Sequence, residues 1–66
     1  MLKIDDSNKF YTKLTTKNEI VGITREAVVG IRVSGTTAQI FLNGAGVVEI
    51  TGLNKEDIEL FLKEFH

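Results

Sequence analysis

The absence of cysteine from so short a chain restricts its fold more than any other feature of the sequence. A domain of 66 residues buries only about 60% of the surface that its unfolded chain exposes, so its core is small. Small domains usually gain further stability from disulfides, a structural metal or self-association. Disulfides are impossible here, and zinc would find only His66 as a Cys or His ligand. Self-association is therefore the expected source of additional stability.

The chain has the composition of a folded protein. Hydrophobic residues make up 42% and charged residues 26%, which provides enough apolar surface to form a core. The first six residues lack the apolar stretch of a secretory signal, and no apolar run approaches the length of a membrane span. We expect a single domain over residues 1–66, located in the cytoplasm, or in a virion if the protein comes from a phage, with no membrane partner.

Alternation of apolar and polar residues predicts several short strands within residues 2–51. In the stretch 10–16 the two-residue period is typical of a strand with one solvent-facing side, and it predicts that Phe10 and Leu14 point inward. A further strand is expected over residues 20–23.

The next strand follows a predicted corner or bulge at residues 24–26. Its pattern predicts one face with Val29, Ile31 and Val33, and an opposite face with Val28, Gly30 and Arg32. Glycine inside a strand usually marks a bulge or a tight bend. Gly22 and Gly30 therefore favour a strongly bent sheet.

A hairpin at Asn43-Gly44 is the clearest β signal, because an Asn-Gly pair between apolar alternations is typical of tight hairpin turns. The strands on its two sides are expected to direct Ala38, Ile40, Leu42, Val48 and Ile50 into the core.

One amphipathic helix is predicted at about residues 55–65. Asn54 would be its N-cap, Asp57 would complete a capping box, and Leu53 would pack on Ile58 as a hydrophobic staple. The predicted apolar face consists of Ile58, Phe61, Leu62 and Phe65. A helix of this length is marginal alone in water, so it is expected to dock on the sheet.

Parts of the chain resemble the Sm-like family. Residues 30–33 through 40–43 are similar in outline to the first Sm signature, and residues 44–50 are similar to the second. The chain therefore resembles small Sm-like and SH3-like β-barrel proteins of phage or bacterial origin. The Asp and Asn with which that family binds uridine have no counterparts here, and the helix is C-terminal instead of N-terminal. The resemblance implies ring-type assembly more than RNA binding.

The expected fold class is mainly β (α+β). Two architectures remain open: a small, strongly bent antiparallel sheet, or an Sm-like or SH3-like barrel of about five strands. In both, one C-terminal α-helix follows the strands.

No group of residues in the sequence indicates catalysis. Asp5-Asp6 lies among residues typical of a turn, and the glycine-rich run 44–46 leads into a strand, whereas phosphate-binding loops open a helix. His66, the only histidine, is expected to be a solvated terminus. We therefore expect no enzyme activity, no catalytic or metal site and no cofactor.

Nucleic-acid binding is one possible function of the solvent-facing strand residues, since aromatic rings stack on bases and cations neutralise phosphates. The candidate contacts are Tyr11, Lys13, Arg25 and Arg32. A net charge of −1 is unlike the basic surface of most nucleic-acid-binding domains.

Surplus apolar residues suggest an interface between copies of the chain. Val28, Phe41, Val47 and Leu60 lie outside the predicted core faces. Either the monomer buries both sheet faces, or the second face is a subunit interface. The leading hypothesis is a non-enzymatic homo-oligomeric assembly or accessory protein whose partner is itself. The alternative is an Sm-like nucleic-acid binder.

Overall fold

Six antiparallel strands followed by one C-terminal helix form the computed structural model, which describes residues 1–65. The strands form two sheets of three, each in chain order. The first contains β1 (Lys3–Asp5), β2 (Thr12–Thr15) and β3 (Ile20–Ile23), and the second contains β4 (Val28–Ser34), β5 (Thr37–Leu42) and β6 (Gly46–Ile50). A 3₁₀ turn (Arg25–Ala27) connects the sheets, and helix α1 (Lys55–Phe65) follows β6. The expectation for His66 concerns a residue outside this described part.

The prediction of a mainly β fold with a C-terminal helix is confirmed. The single bent sheet and the barrel of about five strands are both wrong, because the strands form two sheets of three. Six strands are present, and within residues 1–65 no strand ladder joins β3 to β4 or β6 to β1. A 3₁₀ turn at Arg25–Ala27 lies where the corner or bulge was predicted, at residues 24–26. Because this turn carries the chain out of the first sheet, the strands form two separate sheets.

The first sheet turns Thr12 and Leu14 into the core, each 1% exposed. The predicted inward position of Phe10 is wrong, since 71% of this residue is exposed. The side chain of Asn8 accepts a hydrogen bond from the Phe10 amide at 2.7 Å. This local turn bends the chain before β2 begins at Thr12, so Phe10 never joins the strand.

The second sheet has the predicted hairpin at 43–44, and β5 buries Ala38 and Ile40 completely. Ile50 on β6 is also fully buried, and Leu42 and Val48 are packed against the core. In the turn of this hairpin, Gly44 (φ 82°) and Ala45 (φ 71°) adopt the left-handed backbone conformation.

Because β4 contains a bulge, the predicted directions of some of its side chains are wrong. Val28 pairs with Leu42 and Gly30 pairs with Phe41, so the register shifts between them. The extra residue, Val29, is 67% exposed although it was predicted to face inward, and Val28 packs against the core although it was predicted to face outward. One inserted residue reverses the alternation on its N-terminal side.

The helix begins with the predicted capping box. The Asp57 amide donates to the Asn54 side chain at 2.8 Å, and the Asn54 amide donates to the Asp57 carboxylate at 3.2 Å. Asp57 itself is buried, and Phe61 is the fully buried residue of the inner face. Leu62, predicted on that face, is instead 42% exposed. The buried side of the helix is centred on Asp57 and Phe61, which are four positions apart. Leu62 therefore lies at the margin of this buried side.

Both sheets and the helix contribute to a single core. Its buried hydrophobic residues are Leu2, Leu14, Ile23, Ala38, Ile40, Ile50, Leu53 and Phe61. Ile58 and Phe65 of the helix pack against this cluster from the side. The inner face of each sheet is therefore occupied within the monomer, which leaves the outer faces for other roles.

Candidate functional site

The outer face of the second sheet presents two rows of paired side chains. One row places Gly30, Phe41 and Val47 side by side on β4, β5 and β6, and the next row places Arg32, Gln39 and Glu49 on the same strands. These six residues are called the outer face below. Their neighbours along the strands, Ala38 and Ile40, point into the core.

The first row of the outer face is apolar. Phe41 is half-buried, and its ring lies beside Gly30, where a side chain at Gly30 would place its Cβ 3.9 Å from Phe41 Cδ2. Val47 is 53% exposed. A sheet face that meets only water normally carries polar side chains. Phe41 and Val47 therefore make this end of the outer face suitable for contact with another surface.

The second row of the outer face is charged at both ends. Arg32 lies on β4 and Glu49 on β6, with Gln39 between them on β5. Gln39 donates a hydrogen bond from Nε2 to Oε2 of Glu49 at 3.2 Å. Both charged side chains are exposed. The row thus presents one positive and one negative group, held on the two outer strands of the sheet.

The four residues proposed as an oligomer interface do not share one surface. Phe41 and Val47 are cross-strand partners on the outer face. Val28 packs against the core on the other side of the sheet, and Leu60 belongs to helix α1, where it is 41% exposed. Gln39 and Glu49 were not among the residues predicted from the sequence for either surface. The strand alternation could have found them, because it places Gln39 on the side of Phe41 and Glu49 on the side of Val47.

The four proposed nucleic-acid contacts are also divided between surfaces. Lys13 is on the outward side of the first sheet, paired with Asp5 and Gly22. Tyr11 lies near it, because a Cβ at Gly22 would be 3.5 Å from the Tyr11 ring. Arg32 belongs to the second sheet, on its outer face.

Arg25, the fourth of these residues, is occupied by contacts inside the molecule. Its Nε donates to the buried Thr12 hydroxyl at 2.9 Å, and Nη2 lies 3.6 Å from a carboxylate oxygen of Asp6. The same nitrogen forms an ion pair with Glu64 on helix α1. Arg25 therefore connects β2, the β1–β2 loop and the helix, and its charge is already balanced by two carboxylates.

A shallow pocket of about 190 Å³ lies beside Arg25. It is lined by Asp6, Asn8, Lys9, Phe10, Tyr11, Thr12, Thr24, Arg25 and Glu26. Pockets that enclose a drug-sized molecule usually measure about 300–1,000 Å³. The volume here is too small for such a ligand, and the acidic and basic side chains of its wall are equal in number.

Among the described residues, the carboxyl groups of Asp57 and Asp5 have lowered pKa values, and hydrogen bonds are the main cause in both. A hydrogen bond from the Leu2 amide, with a smaller contribution from the Asn54 amide, lowers the pKa of Asp57 against the opposing effect of burial. Hydrogen bonds from the Ser7 side chain and amide lower the pKa of Asp5. Each carboxylate is an acceptor in a cap or turn, and neither lies on the outer face.

Residues 1–65 contain no cluster of three or more His, Asp or Glu side chains placed to hold a metal ion. Among the same residues, no helix has the length and apolar character needed to cross a bilayer.

Comparison of the chain with family models, with curated proteins and with solved structures found no significant match.

Proposed function

We propose that this chain is a non-enzymatic homo-oligomeric assembly module, and that the outer face of the second sheet is the surface through which it associates. The observation that carries the proposal is the apolar row formed by Gly30, Phe41 and Val47. Its members are cross-strand neighbours, they face away from the core, and Val47 is more than half exposed.

The size of the core supports the same function. Within residues 1–65, eight hydrophobic residues are buried in the monomer, and the chain contains no cysteine with which to form a disulfide. Burial of apolar area is the main favourable term in both folding and association, at about 25 cal/mol per Å². Covering Phe41 and Val47 with a second copy would therefore add stability that the monomer lacks.

Sedimentation equilibrium of the wild-type protein over about 1 μM to about 1 mM, a range that covers weak and moderate association, tests the proposal directly. The expected result is a mass that rises with concentration from 7.3 kDa toward a multiple of that value. A constant monomer mass over the whole range contradicts the proposal.

Val47→Thr tests whether the apolar row is the associating surface. The change replaces one methyl group by a hydroxyl and keeps the β-branched shape of the side chain. In a dimer, each of the two copies loses the free energy of burying one methyl group, about 0.8 kcal/mol. The dissociation constant should therefore rise roughly tenfold. Ile20→Thr is the control, because Ile20 is also a β-branched residue that is more than half exposed, but it lies on β3 of the first sheet. Equal effects of the two substitutions would contradict this assignment.

Nucleic-acid binding is the second candidate, and it has one specific support. Tyr11 and Lys13 lie close together on the outward side of the first sheet, with the edge residue Lys3 nearby. The resemblance to Sm-like proteins extends to this proposal, although it implies ring-type assembly more than RNA binding. Fluorescence anisotropy with labelled single-stranded oligonucleotides tests it: affinity should fall steeply with salt and decrease in Lys13→Ala. An absence of binding at low salt ends this candidate.

A further inference from the structure

The charged row of the outer face has a property that restricts how two copies can meet. Arg32 and Glu49 lie on opposite outer strands of the sheet, at the same level along the strands, with Gln39 midway between them. Neighbouring strands are about 4.8 Å apart, so the two charged residues are displaced equally to either side of β5. A two-fold axis lying along β5 therefore exchanges their positions.

Most homo-oligomers are two-fold symmetric dimers in which the same patch of each subunit meets its copy. If the axis runs along β5, β4 of one copy faces β6 of the other. Arg32 of each copy then faces Glu49 of its partner, and two ion pairs form. Sheets packed face to face are about 10 Å apart, a distance that extended Arg and Glu side chains span together.

A two-fold axis perpendicular to the strands gives a less favourable arrangement. In that case β4 faces β4 and β6 faces β6. Arg32 then meets Arg32, or, if the copies are displaced by one row, it meets the apolar row at Gly30. Like charges placed opposite each other are destabilising, and so are charges buried against apolar groups. The charge pattern selects the axis along β5.

The apolar row fits the same axis. With β4 opposite β6, Val47 of one copy faces the position of Gly30 in the other, where β4 carries no side chain and the Phe41 ring lies beside the gap. Because the Phe41 ring leans toward Gly30, it lies on the β4 side of the axis, where it meets Val47 of the partner. Val47 of each copy thus faces a glycine and an aromatic ring of its partner, and the Phe41 side chains lie near the centre, where interface energy is usually concentrated.

We propose that two copies of this chain associate through their outer faces about a two-fold axis along β5, with Arg32 of each copy paired to Glu49 of its partner. This inference rests on the proposed function and adds the partner surface, its symmetry and its recognition charges. The sheet measures only about 14 Å by 20 Å. The area of its outer face is therefore well below the roughly 800 Å² that each partner buries in a standard interface. The dimer is therefore weak and forms at high protein concentration.

Charge reversal tests the proposal. Arg32→Glu gives a face with two acidic groups, and Glu49→Arg gives a face with two basic groups, so each variant alone should dimerise at least tenfold more weakly than wild type. An equimolar mixture of the two variants should recover a heterodimer. In that mixed pair the carboxylate introduced at position 32 faces the guanidinium introduced at position 49, and the unchanged Arg32 faces the unchanged Glu49. The double variant R32E/E49R should recover the homodimer. Masses from sedimentation equilibrium and circular dichroism spectra of each variant are the measurements.

Lys13→Glu is the matched control, because it makes the same change of charge on an exposed strand residue of the first sheet. It should leave dimerisation unchanged. If the wild type dimerises but folded Arg32→Glu and Glu49→Arg dimerise equally well, or if their mixture forms no heterodimer, this inference is wrong while the proposed function stands. If the wild type is monomeric throughout, the proposed function itself fails.

Discussion

The Asp57 carboxylate accepts a hydrogen bond from the amide of Leu2 at 2.9 Å, although 55 positions separate the two residues in the sequence. The same carboxylate accepts a second hydrogen bond from the Asn54 amide at the helix start. One buried side chain therefore caps helix α1 and fixes the segment that leads into β1. This dual role explains why an acidic residue occupies the inner face of the helix.

Asp57→Ala should lower the free energy of unfolding by about 2 kcal/mol, because two amides lose a charged acceptor and the helix loses half of its capping box. Urea denaturation followed by circular dichroism measures the change. Glu56→Ala is the control: Glu56 is exposed in the same helical turn, and its loss should change stability by less than about 0.5 kcal/mol. Similar effects of both substitutions would show that the cap contributes nothing specific.

Stability should fall in acid through the titration of Asp57. Its pKa is lowered in the folded protein, and the unfolded value is about 3.9. The stabilising contribution is therefore complete above the unfolded pKa and is lost as the pH falls through the folded pKa. Urea midpoints from pH 7 to pH 2 should show this loss, and Asp57→Asn should reduce it.

Asp5→Asn is the control for the acid titration. The pKa of Asp5 is also lowered, but its carboxylate is exposed in a turn, where solvent screens the interaction. The acid loss of stability should therefore persist in this variant. An unchanged acid profile in Asp57→Asn would contradict the assignment to Asp57.

Arg25→Ala should destabilise the protein by about 1–2 kcal/mol, because the buried Thr12 hydroxyl loses its donor and Glu64 loses its ion-pair partner. A double-mutant cycle with Thr12→Val should give a coupling energy of about 1 kcal/mol. Lys13→Ala, which removes an exposed cation from the same sheet, should have an effect below about 0.5 kcal/mol. A coupling energy of zero would mean that the hydrogen bond between Arg25 and Thr12 adds no stability.

Ala45→Gly should stabilise the protein by about 0.5 kcal/mol. Ala45 has a φ of 71°, a left-handed backbone that costs a residue with a Cβ about 1–2 kcal/mol, and this relief exceeds the entropy cost of glycine. Thermal unfolding measures the gain. Ala27→Gly is the reference substitution, since Ala27 has no positive φ and glycine there should lower the melting temperature. A lower melting temperature for Ala45→Gly would refute the strain argument.

Features that depend on neighbouring residues could be predicted from the sequence. The capping box of Asn54 and Asp57 and the hairpin at 43–44 both formed where expected. Ala38, Ile40 and Ile50 all reached the core. In each case the side chains that decide the conformation are within a few residues of one another.

Features that depend on a shift of register or on a distant partner could not be predicted. Phe10 continues the alternation of β2, but the Asn8 side chain bends the chain before the strand begins. Gly30 is typical of a bulge or a bend, but the apolar alternation does not show that Val29 is the extra residue, whose insertion reverses the facing of Val28. The inner face of the helix excludes Leu62 because Asp57 meets Leu2, a contact across nearly the whole chain.

The candidate interface was predicted only in part. Phe41 and Val47 could be identified as apolar residues outside the core, but their grouping requires the pairing of β5 with β6. The association of Arg32 with Glu49 requires, in addition, the register of β4 on β5. Side-chain type was readable from the sequence, whereas the partner of each residue across the sheet was not.

The order of strands within each sheet also has a kinetic consequence. Every strand ladder joins strands that are consecutive in the chain, so each sheet forms by closing short loops, which cost little entropy. Chains dominated by such local pairing cross the folding barrier quickly. We therefore expect the two three-stranded sheets to form early in folding, and the docking of helix α1, through the contact of Asp57 with Leu2, to follow.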